Sequence, residues 1–326
     1  MVSYIKDFKR NALPAQEKRG NMAFLYLLES IRNPVLDVLF QFVTTFGEET
    51  LFIIIGLLFF WCVDKFEGFF LLCVGLMGTV INQFLKLLFR IPRPWVRDPN
   101  FTIVESAREA ATGYSFPSGH TQTSVGVYGG VAKWTGRSPL SWLCMALCVL
   151  VPLSRMYLGV HTPADVGVSI VVALMLIFVL YPIIRKGCED TRVMRPLFAI
   201  MLLLSLGNLA FVHLYPFPAD VDADNLAHGV KNAYTMLGCI AGVWLAWETD
   251  RKYIHFQTQA PLPAQAVKLI LGFAILLGIK AGLKAPLYAI TGGRYIADFV
   301  RYFLMVAFAG CIWPLTFPFW TKKFTK

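Results

Sequence analysis

The chain has 326 residues, of which 56% are hydrophobic and only 15% are charged. Soluble domains carry about 25% charged residues, so this composition excludes an ordinary soluble domain and predicts a chain that faces lipid over much of its length. The net charge of +10 suits contact with anionic headgroups or with phosphate substrates. Nucleic-acid binding is disfavoured because the basic residues flank apolar runs and do not form one basic face.

Residues 1–48 form the first predicted unit, which is polar at its start. Residues 1–22 contain five Lys or Arg residues without an apolar run before a cleavage site, so they do not read as a cleavable signal peptide. Residues 22–47 are amphipathic and are interrupted at Asn33-Pro34. This stretch is too polar for a membrane span, and it predicts helices that lie at the membrane interface.

About nine apolar segments follow, and they predict an all-α, polytopic membrane helical bundle. The predicted transmembrane helices lie at 49–63, 66–88, 118–135, 139–156, 163–185, 196–214, 229–248, 265–284 and 298–320. The polar motifs described below fall within residues 49–186, which we interpret as a catalytic core. A charged loop separates this core from residues 187–326, a C-terminal transmembrane extension to which the sequence assigns no role.

The order of the spans places the polar motifs on one side of the membrane. If residues 49–63 cross once, the loops at 86–116 and 155–161 lie on the same face. The positive-inside rule does not decide which face this is, because Lys and Arg are about equally numerous on both sides. Since the cations on the motif side have a chemical explanation, we predict a multi-pass membrane protein whose site lies on the non-cytoplasmic face.

The first motif places two cations at the end of a span. Lys86 lies on the predicted helix, while Pro92 and Pro94 stop that helix and fix the chain around Arg93. Taken alone, two such cations are typical of side chains that snorkel to a membrane interface. The two motifs that follow favour a phosphate site instead.

The second motif, residues 116–120, combines a turn with the start of a small, polar span. Gly119 at a helix start lets backbone N–H groups converge on an anion, which the helix dipole also favours. Ser118 can add a hydroxyl, and His120 lies within reach of a bound group. This segment predicts an anion-binding helix N-terminus.

The third motif joins the end of one span to the start of the next. Arg155 closes the first span and His161 precedes the second, in which Thr162-Pro163 is typical of a helix N-cap. Asp165 lies four residues after His161 and can reach back one turn. Its carboxylate can then accept a hydrogen bond from one imidazole nitrogen and leave the other nitrogen nucleophilic.

Taken in order, K-x6-RP, PSGH and SR-x5-H-x3-D resemble the signature of the type 2 phosphatidic acid phosphatase superfamily. That group includes lipid phosphate phosphatases, polyprenyl diphosphate phosphatases and sphingosine-phosphate phosphatases, and the resemblance covers roughly residues 35–185. It implies that His161 is the nucleophile, that Asp165 orients it, and that His120 protonates the leaving group and later activates water. It also implies a set of residues that hold the phosphoryl oxygens: Lys86, Arg93, Ser118, Gly119 and Arg155.

The resulting hypothesis is a membrane phosphatase that hydrolyses a lipid-linked phosphate or diphosphate. Three cations can neutralise the transition state, so we expect no metal and no other cofactor. The expected partners are a phosphorylated lipid and the bilayer, and a homodimer is left open. Two alternatives remain, a lipid phosphotransferase that uses the same site and a transporter or flippase with a vestigial site. Phosphatidate, phosphatidylglycerophosphate, polyprenyl diphosphate and sphingoid phosphate all remain open as substrates.

Overall fold

A computed structural model describes residues 15–325, so residues 1–14 of the predicted polar segment lie outside the described part. All regular secondary structure within residues 15–325 is helical, which confirms the all-α class. The helices are α1 (Ala15–Ser30), α2 (Pro34–Thr45), α3 (Glu49–Leu58), α4 (Lys65–Phe89), α5 (Pro94–Arg97), α6 (Gly119–Thr135), α7 (Pro139–Tyr157), α8 (Pro163–Glu189), α9 (Met194–Leu214), α10 (Ala223–Thr249), α11 (Leu262–Gly282), α12 (Lys284–Ile290), α13 (Ile296–Ala307) and α14 (Phe317–Thr325).

Helices occur at all nine predicted positions, but the count of about nine spans is not confirmed. Six helices in the described part are long and apolar enough to cross a membrane, or seven if α2 and α3, which meet at a bend of 45°, form one broken span. The long helices α6 and α10 are not among them. Each is enclosed by other helices, α6 by α4, α7 and α8, and α10 by α4, α9 and α13. A helix enclosed by other helices can carry small and polar residues that pack and bond against its neighbours, because protein, and not lipid, covers it.

The two N-terminal helices follow local capping signals. The Asn33 side chain accepts hydrogen bonds from the backbone N–H groups of Val35 and Leu36, each at 3.1 Å, and Pro34 occupies the first helical position of α2. Val35 is 77% exposed and Phe42 is 61% exposed, so α2 presents an apolar face that no other part of the described chain covers. Such a face suits lipid, and the interfacial placement of α1 and α2 stays a prediction.

Helix α4 connects the predicted catalytic core to the C-terminal extension. It packs against α6 and α8 of the core and against α10 of the extension. A Cβ atom at Gly130 would lie 2.7 Å from Leu71 Cδ2, so a larger residue would have to displace this buried side chain where α6 crosses α4. The helix ends at Arg90, which has a left-handed backbone with φ of 52°. This termination leaves Lys86 in the last turn and turns the chain toward Arg93.

Candidate active site

The three motifs converge on one cavity of about 220 Å³. Its wall includes six of the eight residues that the sequence singles out, namely Lys86, Arg93, Gly119, His120, Arg155 and His161. The two histidines therefore share one cavity, and the motifs lie on one face of the bundle. The other two residues, Ser118 and Asp165, do not line the cavity and lie behind its wall.

Ser118 holds the N-terminus of α6 in place. Its hydroxyl accepts a hydrogen bond from the Thr121 N–H at 3.4 Å, as an N-cap does, and its own N–H donates to the Asp165 carbonyl at 3.2 Å. The Ser169 hydroxyl donates to the Ser118 carbonyl at 2.9 Å. Ser118 is fully buried by these contacts, which join α6 to α8. Gly119 then starts α6 at the cavity wall, where a Cβ atom would have no neighbour within 4 Å.

His161 lies between a cation and a carboxylate. Its Nε2 atom is 3.0 Å from Arg93 Nη1, and its Nδ1 atom is 3.6 Å from Asp165 Oδ2. Because the guanidinium can only donate, Nε2 is the acceptor and the proton of a neutral ring resides on Nδ1, which faces Asp165. Burial first, and then the nearby charges of Arg93 and Arg155, lower the pKa of His161 well below its usual range. The ring is therefore neutral at neutral pH, with the Nε2 lone pair turned toward Arg93 at the cavity wall.

The Asp165 carboxylate is fixed by two hydrogen-bond donors. Its Oδ2 atom accepts hydrogen bonds from the Ser115 hydroxyl at 2.6 Å and from the Thr162 N–H at 2.8 Å. The Thr162 hydroxyl in turn accepts from the Asp165 N–H at 3.3 Å, which completes a capping box at the start of α8. The same contacts that begin this helix thus aim the carboxylate at His161. Sequence reasoning missed Ser115, which no local pattern connects to a residue 50 positions away.

Arg93 is held by backbone carbonyl groups on three sides. Nε donates to Gly113 at 3.1 Å, Nη2 to Thr112 at 2.6 Å and Nη1 to Val160 at 3.0 Å. These bonds fix the plane of the guanidinium beside His161. A planar, pre-oriented fork of this kind matches the geometry of a phosphoryl group.

The other two cations are held from different parts of the chain. Lys86 Nζ donates to the Tyr114 carbonyl, in the same loop that holds Arg93. Arg155 Nη1 donates to the Thr44 hydroxyl at 2.7 Å, while its Nε atom is buried without a hydrogen-bond partner in the described chain. All three cations are buried, and Asp165 is the carboxylate of the motifs that lies among them. Buried cations in excess of carboxylates favour the binding of an anion.

The cavity continues beyond the eight predicted residues. Its wall also includes Glu49, Gln122, His228 and Asn232, of which the last two come from α10 in the C-terminal extension. Sequence reasoning attached none of the four to the site, and only the packing of α10 against α4 brings the extension there. The extension therefore contributes part of the cavity wall.

Comparisons with known proteins agree with this arrangement. Residues 67–187 match the PAP2 superfamily, and residues 234–321 match the transmembrane extension of PAP2 superfamily phosphatases. A dihydrosphingosine 1-phosphate phosphatase of Schizosaccharomyces pombe is 23% identical over 83% of this chain and 68% of its own length. A probable sphingosine-1-phosphate phosphatase of Dictyostelium discoideum is 28% identical over 78% of this chain and 63% of its own length. The chain thus spans about two thirds of the length of these two relatives.

A bacterial relative matches a shorter part of the chain. The undecaprenyl-diphosphatase BcrC of Bacillus subtilis is 29% identical over 47% of this chain and 77% of its own length. No solved structure matches the chain. The two domain matches and the convergence of the three motifs lead to one conclusion, which confirms the resemblance seen in the sequence: the chain belongs to the PAP2 superfamily and carries its phosphatase transmembrane extension.

Proposed function

We propose that the protein is a membrane phosphatase that hydrolyses a lipid-linked phosphate or diphosphate through a phosphohistidine at His161. The observation that carries this proposal is the placement of the His161 ring, which has Asp165 behind one nitrogen and Arg93 beside the other, in a cavity lined by two more cations. The relatives named for sphingosine 1-phosphate and undecaprenyl diphosphate support a lipid phosphate as the substrate.

In the first step, His161 Nε2 attacks phosphorus and the bond from phosphorus to the ester oxygen breaks. Burial and the charges of Arg155, Arg93 and Lys86 lower the pKa of His120 well below its usual range, and the negative charge of a bound phosphate opposes this shift, so we propose that His120 is protonated when the substrate is bound. It gives that proton to the leaving oxygen, so the alcohol or phosphate departs protonated. Asp165 faces the Nδ1–H group and stabilises the positive charge that develops on the His161 ring. Lys86, Arg93 and Arg155 hold the phosphoryl oxygens as negative charge builds on them.

In the second step, water replaces the imidazole. His120, now without its proton, takes a proton from water, whose oxygen attacks phosphorus as the bond from phosphorus to Nε2 breaks. Inorganic phosphate leaves and His161 returns to its neutral state. The cations neutralise charge in both steps, and we therefore propose that no metal ion takes part.

The test is release of phosphate by the purified protein from a panel of lipid phosphates and diphosphates, with and without a metal chelator. We expect hydrolysis that survives chelation and that is abolished by His161→Ala. His213→Ala is the matched control, because His213 lies on α9 outside the cavity and bonds to Tyr234 at 3.2 Å. Full activity of His161→Ala would remove the nucleophile from this mechanism, and a requirement for magnesium would contradict the role of the cations.

Three further features belong to this proposal. The site faces away from the cytosol, the catalytic core covers residues 49–186, and the extension covers residues 187–326. The matches at 67–187 and 234–321 support this division. Labelling of a single engineered cysteine in the 95–116 loop with a membrane-impermeant reagent on intact cells tests the orientation, since only a non-cytoplasmic loop reacts.

A further inference from the structure

A second cavity, of about 290 Å³, lies at the end of the bundle opposite the candidate active site. Helix α4 connects the two cavities, because Lys65 at its first position lines the second cavity and Lys86 in its last turn lines the first. From residue 65 to residue 86 the helix rises about 32 Å at 1.5 Å per residue, which is close to the ~30 Å thickness of the hydrocarbon core of a bilayer. The second cavity therefore lies at the other membrane interface.

The wall of this second cavity joins the catalytic core to the C-terminal extension. Residues 250–254, which continue α10, form a π-helical turn, a conformation that is rare and occurs frequently at functional sites. His255 follows with a left-handed backbone and φ of 49°, which is uncommon outside glycine. This turn brings three polar side chains of the extension to the start of α4. The lining residues are Lys65 and Phe66 from α4, and Trp247, Asp250, Arg251 and His255 from α10 and its continuation.

Positive charge exceeds negative charge at this wall. Lys65 Nζ donates to Asp250 Oδ2 at 2.7 Å and to the Phe256 carbonyl at 3.2 Å. Asp250 Oδ1 accepts from the Phe256 N–H at 3.0 Å, so both carboxylate oxygens are engaged, while the Lys65 ammonium keeps a third N–H group. The Arg251 side chain is exposed and makes no ion pair or hydrogen bond with any described residue. Lys65 thus neutralises the one carboxylate, and the charge of Arg251 stays without a counter-ion.

Exposed apolar and aromatic side chains next to the lining residues favour a lipid as the source of the anion. Tyr253 lies between Arg251 and His255 in the chain and is 78% exposed, and Val63, two residues before Lys65, is 42% exposed. Tyrosine is enriched at the level of the headgroups in membrane proteins. Basic pockets between transmembrane helices bind anionic lipid headgroups, and this pocket combines the required charge with an apolar border.

We propose that the second cavity binds the headgroup of an anionic glycerophospholipid from the leaflet opposite the candidate active site, as a ligand that is not hydrolysed. The Arg251 guanidinium and the third N–H group of Lys65 donate to the phosphate oxygens. Because the wall comes from both α4 and α10, the bound lipid also holds the extension against the core. No residue lines both cavities, so this inference is independent of the proposed function.

The test is the binding of phosphatidylglycerol to the purified protein in neutral detergent, measured by native mass spectrometry. Phosphatidylcholine is the reference lipid, because its phosphate is the same but its headgroup has no net charge. We expect wild-type protein to bind phosphatidylglycerol more tightly, and Arg251→Gln to lower that affinity about fivefold, as expected for one basic residue at a membrane surface. Arg251→Lys keeps the charge and should keep most of the affinity.

Lys252→Gln is the matched control. It removes the same charge at the next residue, but Lys252 does not line the cavity and lies 3.6 Å from Glu248, so its loss should change the affinity much less. Both side chains are exposed, and the melting temperatures of the two variants without lipid should therefore agree. An equal loss of affinity in the two variants would overturn the proposal, because the lipid would then respond to the charge of the whole face and not to this cavity.

Two other results would also overturn it. One is wild-type protein that binds the two lipids equally, and the other is Arg251→Gln with wild-type affinity for phosphatidylglycerol. An excess of inorganic phosphate distinguishes a lipid from a free anion at the same site. We expect bound phosphatidylglycerol to stay in place, whereas its displacement by phosphate would show a site for a soluble anion and contradict the assignment to a lipid.

Discussion

Replacing Arg93 tests how much the pre-oriented guanidinium contributes to turnover. In the structure its three nitrogens are held by three backbone carbonyl groups and by His161 Nε2. One N–H group of Nη2 is unused, and the Nη1–H that faces His161 becomes free when Nε2 attacks phosphorus. In the proposed transition state Arg93 can therefore make two charge-assisted bonds to phosphoryl oxygens, each worth about 1.5–3 kcal/mol. Their loss costs about 3–6 kcal/mol, and a factor of ten corresponds to about 1.4 kcal/mol. We therefore expect Arg93→Ala to lower kcat/KM by about 10²–10⁴.

The assay measures phosphate release by purified variants, with thermal unfolding in detergent as the check on folding. Arg93→Lys keeps the charge but loses the fork, so it should recover only part of the activity. Arg108→Ala is the matched control, because Arg108 lies in the same loop but is exposed and pairs with Glu105 at 2.7 Å. Wild-type kcat/KM for Arg93→Ala would refute the reasoning, since Arg93 would then be a cation that snorkels to the interface.

The remaining predictions concern the support of His161 and the packing of the bundle. Ser115→Ala removes the 2.6 Å bond to Asp165, and we expect kcat to fall about 10-fold to 100-fold with little change in KM, whereas a change in KM alone would argue against a positioning role. The pKa of His161 is lowered, so the nucleophile stays neutral when the pH falls below about 6.5. The loss of kcat/KM at acid pH should therefore have its midpoint below that value. A midpoint at or above it would contradict the lowered pKa. The folded state resists protonation at His161, so its stability should also fall as pH drops below the unfolded value of about 6.5, and this loss should be smaller in His161→Ala. Gly130→Val should destabilise the protein by about 1–3 kcal/mol through overpacking against α4, whereas Gly207→Ala, which meets no atom within 4 Å, should not lower the melting temperature.

Local sequence patterns predicted the helices and the residues at their ends. The interruption at Asn33-Pro34, the cap at Thr162 and the proline stop before Arg93 depend on residues that are neighbours in the chain. The three motifs could be placed on one face because each of them ends or begins a span. Their meeting at one cavity followed from the order of the spans, and the structure reports that convergence.

The parts that the sequence did not predict depend on packing between distant segments. Ser115 reaches Asp165 across 50 positions, and Thr44 accepts from Arg155 across 111 positions. Apolar periodicity carries no signal for either contact. The same limit applies to the count of spans, because α6 and α10 are enclosed by other helices, and hydropathy along the sequence does not show which helices are enclosed.

The contribution of the extension was also outside the reach of motif reasoning. Helix α10 carries none of the three motifs, yet His228 and Asn232 line the cavity. Their positions follow from how α10 packs against α4, which depends on the whole bundle. Residues that line the cavity can thus lie far in sequence from those proposed to perform the chemistry.

The central claim is a covalent intermediate on one imidazole nitrogen, and trapping it is the most direct measurement. The protein is mixed with a lipid phosphate carrying labelled phosphorus, quenched in alkali to preserve a bond between phosphorus and nitrogen, digested and sequenced by mass spectrometry. We predict label on His161 alone, and no label in His161→Gln. Label on another residue, or steady phosphate release by His161→Gln without any covalent label, would contradict the account.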